Sequence, residues 1–287
     1  MEFFKDDMDD PSAVVGDISV LGHAFYRGGK LRIGSMGFNG GRPYSCRVLN
    51  LKLTELTEDD DDADKRSGVI LFQGMTFDEL QIFEALTANG FKKEDCSRYT
   101  LESFGHSMLI SNRLLYNKMP GEKKLRNSEL IVLADAPAGP DRIIPDFILK
   151  DMADFVRNGG RLVVFGGFFT LEKGEFQRTP LADVLPVELD SPYTTGKFAR
   201  PAAIKSLVHE YNWLASEKPF NVAYFHDLKV KKNAVVKLAA DGKPMLVEWH
   251  CDKGTVAVFL GKKAGRGELF TDNPNWFRLA AQICKGN

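Results

Sequence analysis

The sequence predicts an α/β protein in which a mostly parallel sheet is covered by helices and preceded by a small antiparallel β meander. Three observations predict it. Short continuous apolar runs at 68–74 (GVILFQG), 127–137 (NSELIVLADAP) and 161–167 (RLVVFGG) read as strands buried on both faces. The segments between them carry helical periodicity, so strands and helices alternate. The region 14–57 instead shows strand-length segments punctuated by Gly28-Gly29 and Gly40-Gly41, glycines that supply the positive φ of tight strand connections.

Taken in order, residues 14–57 form a three-stranded meander, too small to be stable without packing on the rest of the chain or on a second copy. The run EDDDDADKRSG follows. Its five aspartates and one glutamate within 58–64 repel one another and bury nothing, so it reads as a solvated linker. The EF-hand alternative fails because the loop glycine and terminal glutamate are absent. The boundary falls here, giving a meander and linker over 1–66 and an α/β domain over 67–287.

Within that domain, strand 68–74 leads into a helix with a Thr76/Glu79 capping box, an apolar stripe through Phe77, Leu80, Phe83 and Leu86, and Gly90 as its stop. A second strand over 127–137 precedes a helix entered through Pro145 and ended by Gly159-Gly160. The strand from Arg161 follows. Parallel strands joined by helical crossovers imply a flavodoxin-like three-layer sandwich. NVAYF, AVVKLAA, PMLVEWH and GTVAVFLG read as further strands turned by DGKP and CDKG, and NPNWFRLAAQIC as a closing helix.

Composition narrows function. Hydrophobic residues are 44%, charged residues 27% and the formal net charge is −1, without the basic excess that a phosphate backbone attracts. Nucleic acid is therefore not an expected partner. No apolar run reaches membrane-spanning length, and the acidic N-terminus MEFFKDDMDDPS lacks the charge and apolar regions of a secretory signal, so a cytoplasmic location is expected. Cys46, Cys96, Cys251 and Cys284 show no C-x-x-C spacing, and the five histidines no H-E-x-x-H or H-x-H. Four free thiols and no metal site or cofactor are expected. There is no G-x-G-x-x-G after the first strand, and GKKAGRG (261–267) lacks the phosphate-loop order, reading as a solvated turn.

The succession GVILFQG, SELIVLADAP, FVRNGGRLVVFGGFFTLEKGEFQRTPLADVLPVEL and PMLVEWHCDKGTVAVFLG resembles the class I glutamine amidotransferase-like domains and, more distantly, trehalose-utilisation-type domains, over about 67–287. The resemblance implies a site at the carboxyl ends of the strands, in the turn after Phe165. In active members that turn reads G-x-C-x-G, and a histidine in a later H-x-E activates the thiol. Here it reads Gly166-Gly167-Phe168-Phe169-Thr170, and no histidine is followed two residues later by glutamate. Thioester chemistry needs a thiolate with a base in reach, so ordinary glutaminase activity is not expected.

The remaining candidates follow from position. Gly166 and Gly167 permit a sharp turn that presents main-chain amides to a ligand, or a tight turn against a neighbouring strand. Phe168 and Phe169 stand in the nucleophile's place as a lid or contact, and Thr170 reads as a loop cap. Glu172, Lys173 and Glu175 read as an exposed charged loop. Asp135, at the end of a strand, could accept from hydroxyls or an amine, or cap its own turn, with Gln73 and Met75 weaker candidates of the same kind. His226 beside Asp227 is an acid/base pair on paper, although neighbours on an extended segment face opposite ways. The expected role is non-catalytic binding of a small polar ligand or assembly into a homo-oligomer; the alternative is a hydrolase or sugar-modifying enzyme using Asp135 or His226.

Overall fold

The computed structural model describes residues 2–4, 11–14, 68–74, 80–101, 120–138, 144, 146–168, 170–190, 194–263 and 269–286. The meander expected over 14–57, the acidic linker, Thr76, Glu79 and Pro145 lie outside them, apart from Val14 and Gly68; the helix expected from the Thr76/Glu79 capping box begins instead at Ile82, with a left-handed Gln81 as its N-cap. Strands β1 (Glu2–Phe4) and β2 (Pro11–Val14) pair antiparallel.

The main sheet begins with β3 (Val69–Gly74), β4 (Cys96–Leu101), β5 (Leu130–Ala134) and β6 (Arg161–Phe165). Short strands β7 (Val187–Glu188), β8 (Thr195–Ala203), β9 (Lys205–Ser206), β10 (Asn221–His226) and β11 (Lys229–Val230) follow, then β12 (Val235–Ala240), β13 (Lys243–Cys251), β14 (Gly254–Phe259) and β15 (Gly261–Lys262). Helices are α1 (Ile82–Ala88), α2 (Glu122–Asn127), α3 (Asp146–Arg157) and α4 (Trp276–Lys285). Eight strands form one sheet in the order β4-β3-β5-β6-β14-β13-β12-β9. The pairs from β4 to β14 are parallel and those from β14 to β9 antiparallel, so the sheet is mixed. Beside it β15, β10 and β8 make a three-stranded antiparallel sheet.

The parallel half owes its stability to strict alternation. Ile70, Phe72, Ile131, Leu133, Leu162, Val164, Val256 and Val258 face one way, toward Leu125 of α2 and the apolar stripe of α3. Val69, Leu71, Val132, Val163, Phe165, Ala257 and Phe259 face the other, toward α1 and α4. Helices thus cover both faces, as continuous apolar strands require. α3 buries Ile148, Leu149, Met152, Ala153, Phe155 and Val156 in one stripe. Its end is a left-handed Gly159, with the Gly160 amide donating to Phe155 O at 2.9 Å. On the other face Trp276 stacks edge-on with Phe165 and Phe270 at 6.1 and 5.0 Å, and its Nε1 donates to Leu80 O at 2.7 Å.

Strands β3, β5, β6, β10, β12, β13 and β14 and helices α3 and α4 fall where the sequence predicts them. The strands β4 and β8 and helix α2 were not anticipated: α2 reads EKKLRN and is mostly polar, while β8 reads TGKFARPAA, a mixed pattern without strict alternation, and leaves much of its length exposed on the edge of its sheet. In the two predicted turns Asp241 and Asp252 take left-handed backbone.

Candidate functional site

The carboxyl ends of β5, β6 and β14 lie side by side, through the register Ala134↔Phe165 and Phe165↔Phe259. Each chain then leaves the sheet at a close approach. The Asp135 amide donates to Phe165 O at 3.1 Å and the Gly166 amide to Phe259 O at 2.7 Å. Asp135 is half-buried and held left-handed, with φ 45°. A Cβ on Gly167 would sit 2.2 Å from Asp135 Cγ, and one on Gly166 2.7 Å from His226 Cδ2 and 2.9 Å from Nε2. The two glycines therefore make room for two titratable side chains.

The structure brings Asp135, Gly166, Gly167 and His226 together at one edge, but it pairs His226 differently from expectation. Its amide donates to Leu260 O at 2.9 Å, which docks the end of β10 beside β14. The ring is fully buried, and Nδ1 lies 2.6 Å from Glu172 Oε2. Asp227 instead pairs with Lys243 at 3.0 Å. Reading Glu172 as part of an exposed charged loop is corrected: its carboxylate is 1% exposed, while Lys173 next to it is exposed. Lys262, placed in a solvated turn by sequence, is 4% exposed in β15. Its Nζ reaches Glu172 Oε1 at 3.3 Å and Thr195 Oγ1 at 2.7 Å.

The protonation states follow from burial and partners. For Glu172 burial pushes the carboxyl up, but the hydrogen bond from His226 and the charge of Lys262 outweigh it, and the carboxyl lies below its usual range. For His226 burial outweighs the help of Glu172, and the ring lies below its usual value, neutral at pH 7. An ionised carboxylate only accepts, so the ring proton sits on Nδ1 and Nε2 is an acceptor. Nε2 is buried without a hydrogen-bond partner among the described residues. Burial also lowers Lys262, against the pull of Glu172.

Thr170 is fully buried, and its hydroxyl donates to Ala136 O at 3.0 Å, tying the turn to the loop after β5 rather than capping its own loop. Phe168 is 52% exposed, with the Lys173 ammonium 4.1 Å over its ring, so it does not plug the turn. Phe169, Met75 and 264–268 of the basic loop lie outside the described residues. Gln73 is buried and accepts from Arg98 Nε. Cys96 opens β4 opposite Val69, Cys251 pairs with Gly254, and the Cys284 carbonyl accepts from Arg161 at 2.9 Å. All three are free thiols at the amino ends of the parallel strands, the edge away from His226. No cluster of metal-ligating residues occurs among the described residues.

The mixed α/β sheet with its close-packed turn after β6 can now be set beside known proteins. The family described as “Putative glutamine amidotransferase” matches residues 128–274, more than half of the chain and every element of this edge. The chain belongs to that glutamine amidotransferase-like family. No curated protein matches it. Among solved structures the amidotransferase-like chain shares its fold with the cytoplasmic protein STM1381 of Salmonella typhimurium LT2, at TM-score 0.57 and 16% identity over 76% of this chain and 98% of that one. The cytoplasmic protein STM3548 of Salmonella typhimurium superposes at 0.56 and 16% identity, over 75% and 96%. A thua-like protein of Parabacteroides merdae superposes at 0.50 and 10% identity, over 77% and 89%.

Glu172 and Lys262 are polar yet buried, so polarity alone does not locate them. The signal was present in the pattern. Glu172 lies between Leu171 and Phe176, and Lys262 continues the alternation of GTVAVFLGK, in a buried position.

Proposed function

We propose that this amidotransferase-like protein does not hydrolyse glutamine and that its carboxyl edge binds a small polar ligand over Gly166, Gly167, Phe168, Phe169, Thr170 and Asp135, as a flavodoxin-like sandwich does at its strand ends. One observation carries the reading: at the position of the nucleophilic thiol stands Phe168, and the described thiols lie at the other edge of the sheet. The backbone supports it, since a raised nucleophile sits on a strained turn, whereas the left-handed residues nearby, among the described residues, are Asp135, Leu171 and Glu175. Asp135 with the main chain at Gly167 offers polar contacts to a ligand without an acyl-enzyme. Assembly into a homo-oligomer is the second half of the proposal, supported by Leu207 and Val235, 58% and 52% exposed at the β9–β12 end of the sheet.

The test is ammonia release from glutamine by the purified chain, with melting temperatures measured against panels of neutral polyols, amides and phosphates. The expected result is no ammonia, and a rise in melting temperature with one panel that Gly167→Ala removes. Glutamine turnover, or a flat response to every panel, contradicts the reading. Light scattering showing a strict monomer removes the assembly half.

The buried Glu172–His226 pair favours a second reading. A carboxylate-oriented neutral imidazole with an unpartnered Nε2 is the arrangement of a general base, so an enzyme of altered chemistry at the same edge is the alternative. Hydrolysis of activated esters or glycosides that is lost in His226→Asn would establish it.

A further inference from the structure

We propose that Glu172, His226 and Lys262 form a latch that positions the turn 166–176, and that a proton arriving at His226 Nε2 opens it, placing the ligand edge under acid control. The gating of a ligand rests on the reading above; the latch itself does not.

The cluster joins the turn to a sheet in which β10, β15 and β8 already pair. The turn supplies Glu172, β10 supplies His226, and β15 supplies Lys262, which is also held by Thr195 of β8. Glu172 sits between two left-handed residues, Leu171 at φ 56° and Glu175 at φ 56°. Such backbone is strained and persists only where the surroundings over-determine it. The carboxylate bridge adds to the constraint from the buried Leu171 and Phe176 side chains, the Ala138 amide on Gly174 O at 3.3 Å, the Phe176 amide on Leu171 O at 3.0 Å and the Glu175 amide on Glu172 O at 3.2 Å.

The cluster is balanced for a neutral ring. Glu172 and Lys262 offset each other inside it, and the charged groups that next face it are Lys173 on the turn and Asp135 after β5. A proton on Nε2 adds a positive charge with no solvent to take it up. Nε2 lies close to the main chain of Gly166, since a Cβ there would be 2.9 Å from it. The Gly167 main chain favours the protonated ring yet makes no hydrogen bond to Nε2 as it stands, so the acceptor the proton needs belongs to the turn that the latch holds. Satisfying it requires the turn to move.

Amide hydrogen exchange of the turn, corrected for intrinsic rates, tests the latch without any ligand. Between about pH 7.5 and about pH 5.5 the Gly174, Glu175 and Phe176 amides should lose about tenfold or more of their protection while Val163 and Val164 in β6 keep theirs. His226→Asn, which can still donate to Glu172 but cannot titrate, should leave the turn protected throughout. Protection that stays constant, turn and sheet opening together, or an unchanged acid response in His226→Asn overturns the proposal. Should that variant not fold, nitrogen-15 spectra of the wild-type imidazole decide. Nδ1–H at pH 8, with Nε2 gaining its proton over the span in which the turn opens, supports the latch. A ring that stays neutral until global unfolding contradicts it. Since exchange reads the turn and melting shifts read the ligand, the latch and the binding reading fail separately.

Discussion

Glu172 and His226 show how one carboxylate decides the state of a whole site. Removing either leaves a charged or polar partner buried without compensation, a loss of about 3 kcal/mol or more. Glu172→Ala should therefore lower the free energy of urea unfolding by about that amount, with Lys262 stranded. The pH dependence follows from the shifts. The folded value of His226 lies below its unfolded one, so its contribution is present above about pH 6.5 and declines as the pH falls below that. The folded value of Glu172 also lies below its unfolded one, so its contribution is present above about pH 4.5 and is lost on further acidification. Equilibrium melts should show stability starting to fall near pH 6.5, and in His226→Asn the decline should begin only in the carboxylate range. An identical onset in both proteins would contradict the assignment.

Among the elements, the apolar packing of sheet on helices is supplemented by close main-chain contacts that sequence periodicity does not report. Gly254 opens β14 beneath the end of α3, where a Cβ would meet Val156 O at 2.1 Å and Gly160 O at 2.4 Å. These are backbone atoms that cannot step aside. Gly254→Ala should cost about 2 kcal/mol or more in a denaturant titration, against a near-neutral effect of alanine at the exposed Lys253. Arg161 plays a related part. It donates to the Cys284 and Ile283 carbonyls at 2.9 and 2.8 Å, closing the end of α4, and pairs with Glu248 at 2.7 Å. Arg161→Met should fray α4, seen as faster exchange of the Ile283 and Cys284 amides. The strands β3, β5, β6 and β14 were legible because continuous apolar runs have few other uses. β8 and α2 were not, since a polar edge strand and a one-and-a-half-turn helix carry too little pattern. Asp135 and the glycines were legible from their position after strands; the Glu172 pairing depends on a contact 54 residues apart in sequence, which no local spacing encodes.

For the whole molecule, the fold and the chemistry separate. The match to the family covers the turn at the carboxyl edge, while the described thiols sit at the opposite edge, where burial raises Cys96 and Cys251 and pushes Cys284 up to about 12. The most direct measurement is intact mass after incubation with an electrophilic glutamine analogue that alkylates an amidotransferase thiol. The mass should remain that of the unmodified chain, even after prolonged exposure. A single adduct on Cys46, Cys96, Cys251 or Cys284 that glutamine competes away would mean that an active thiol exists, and would contradict the account.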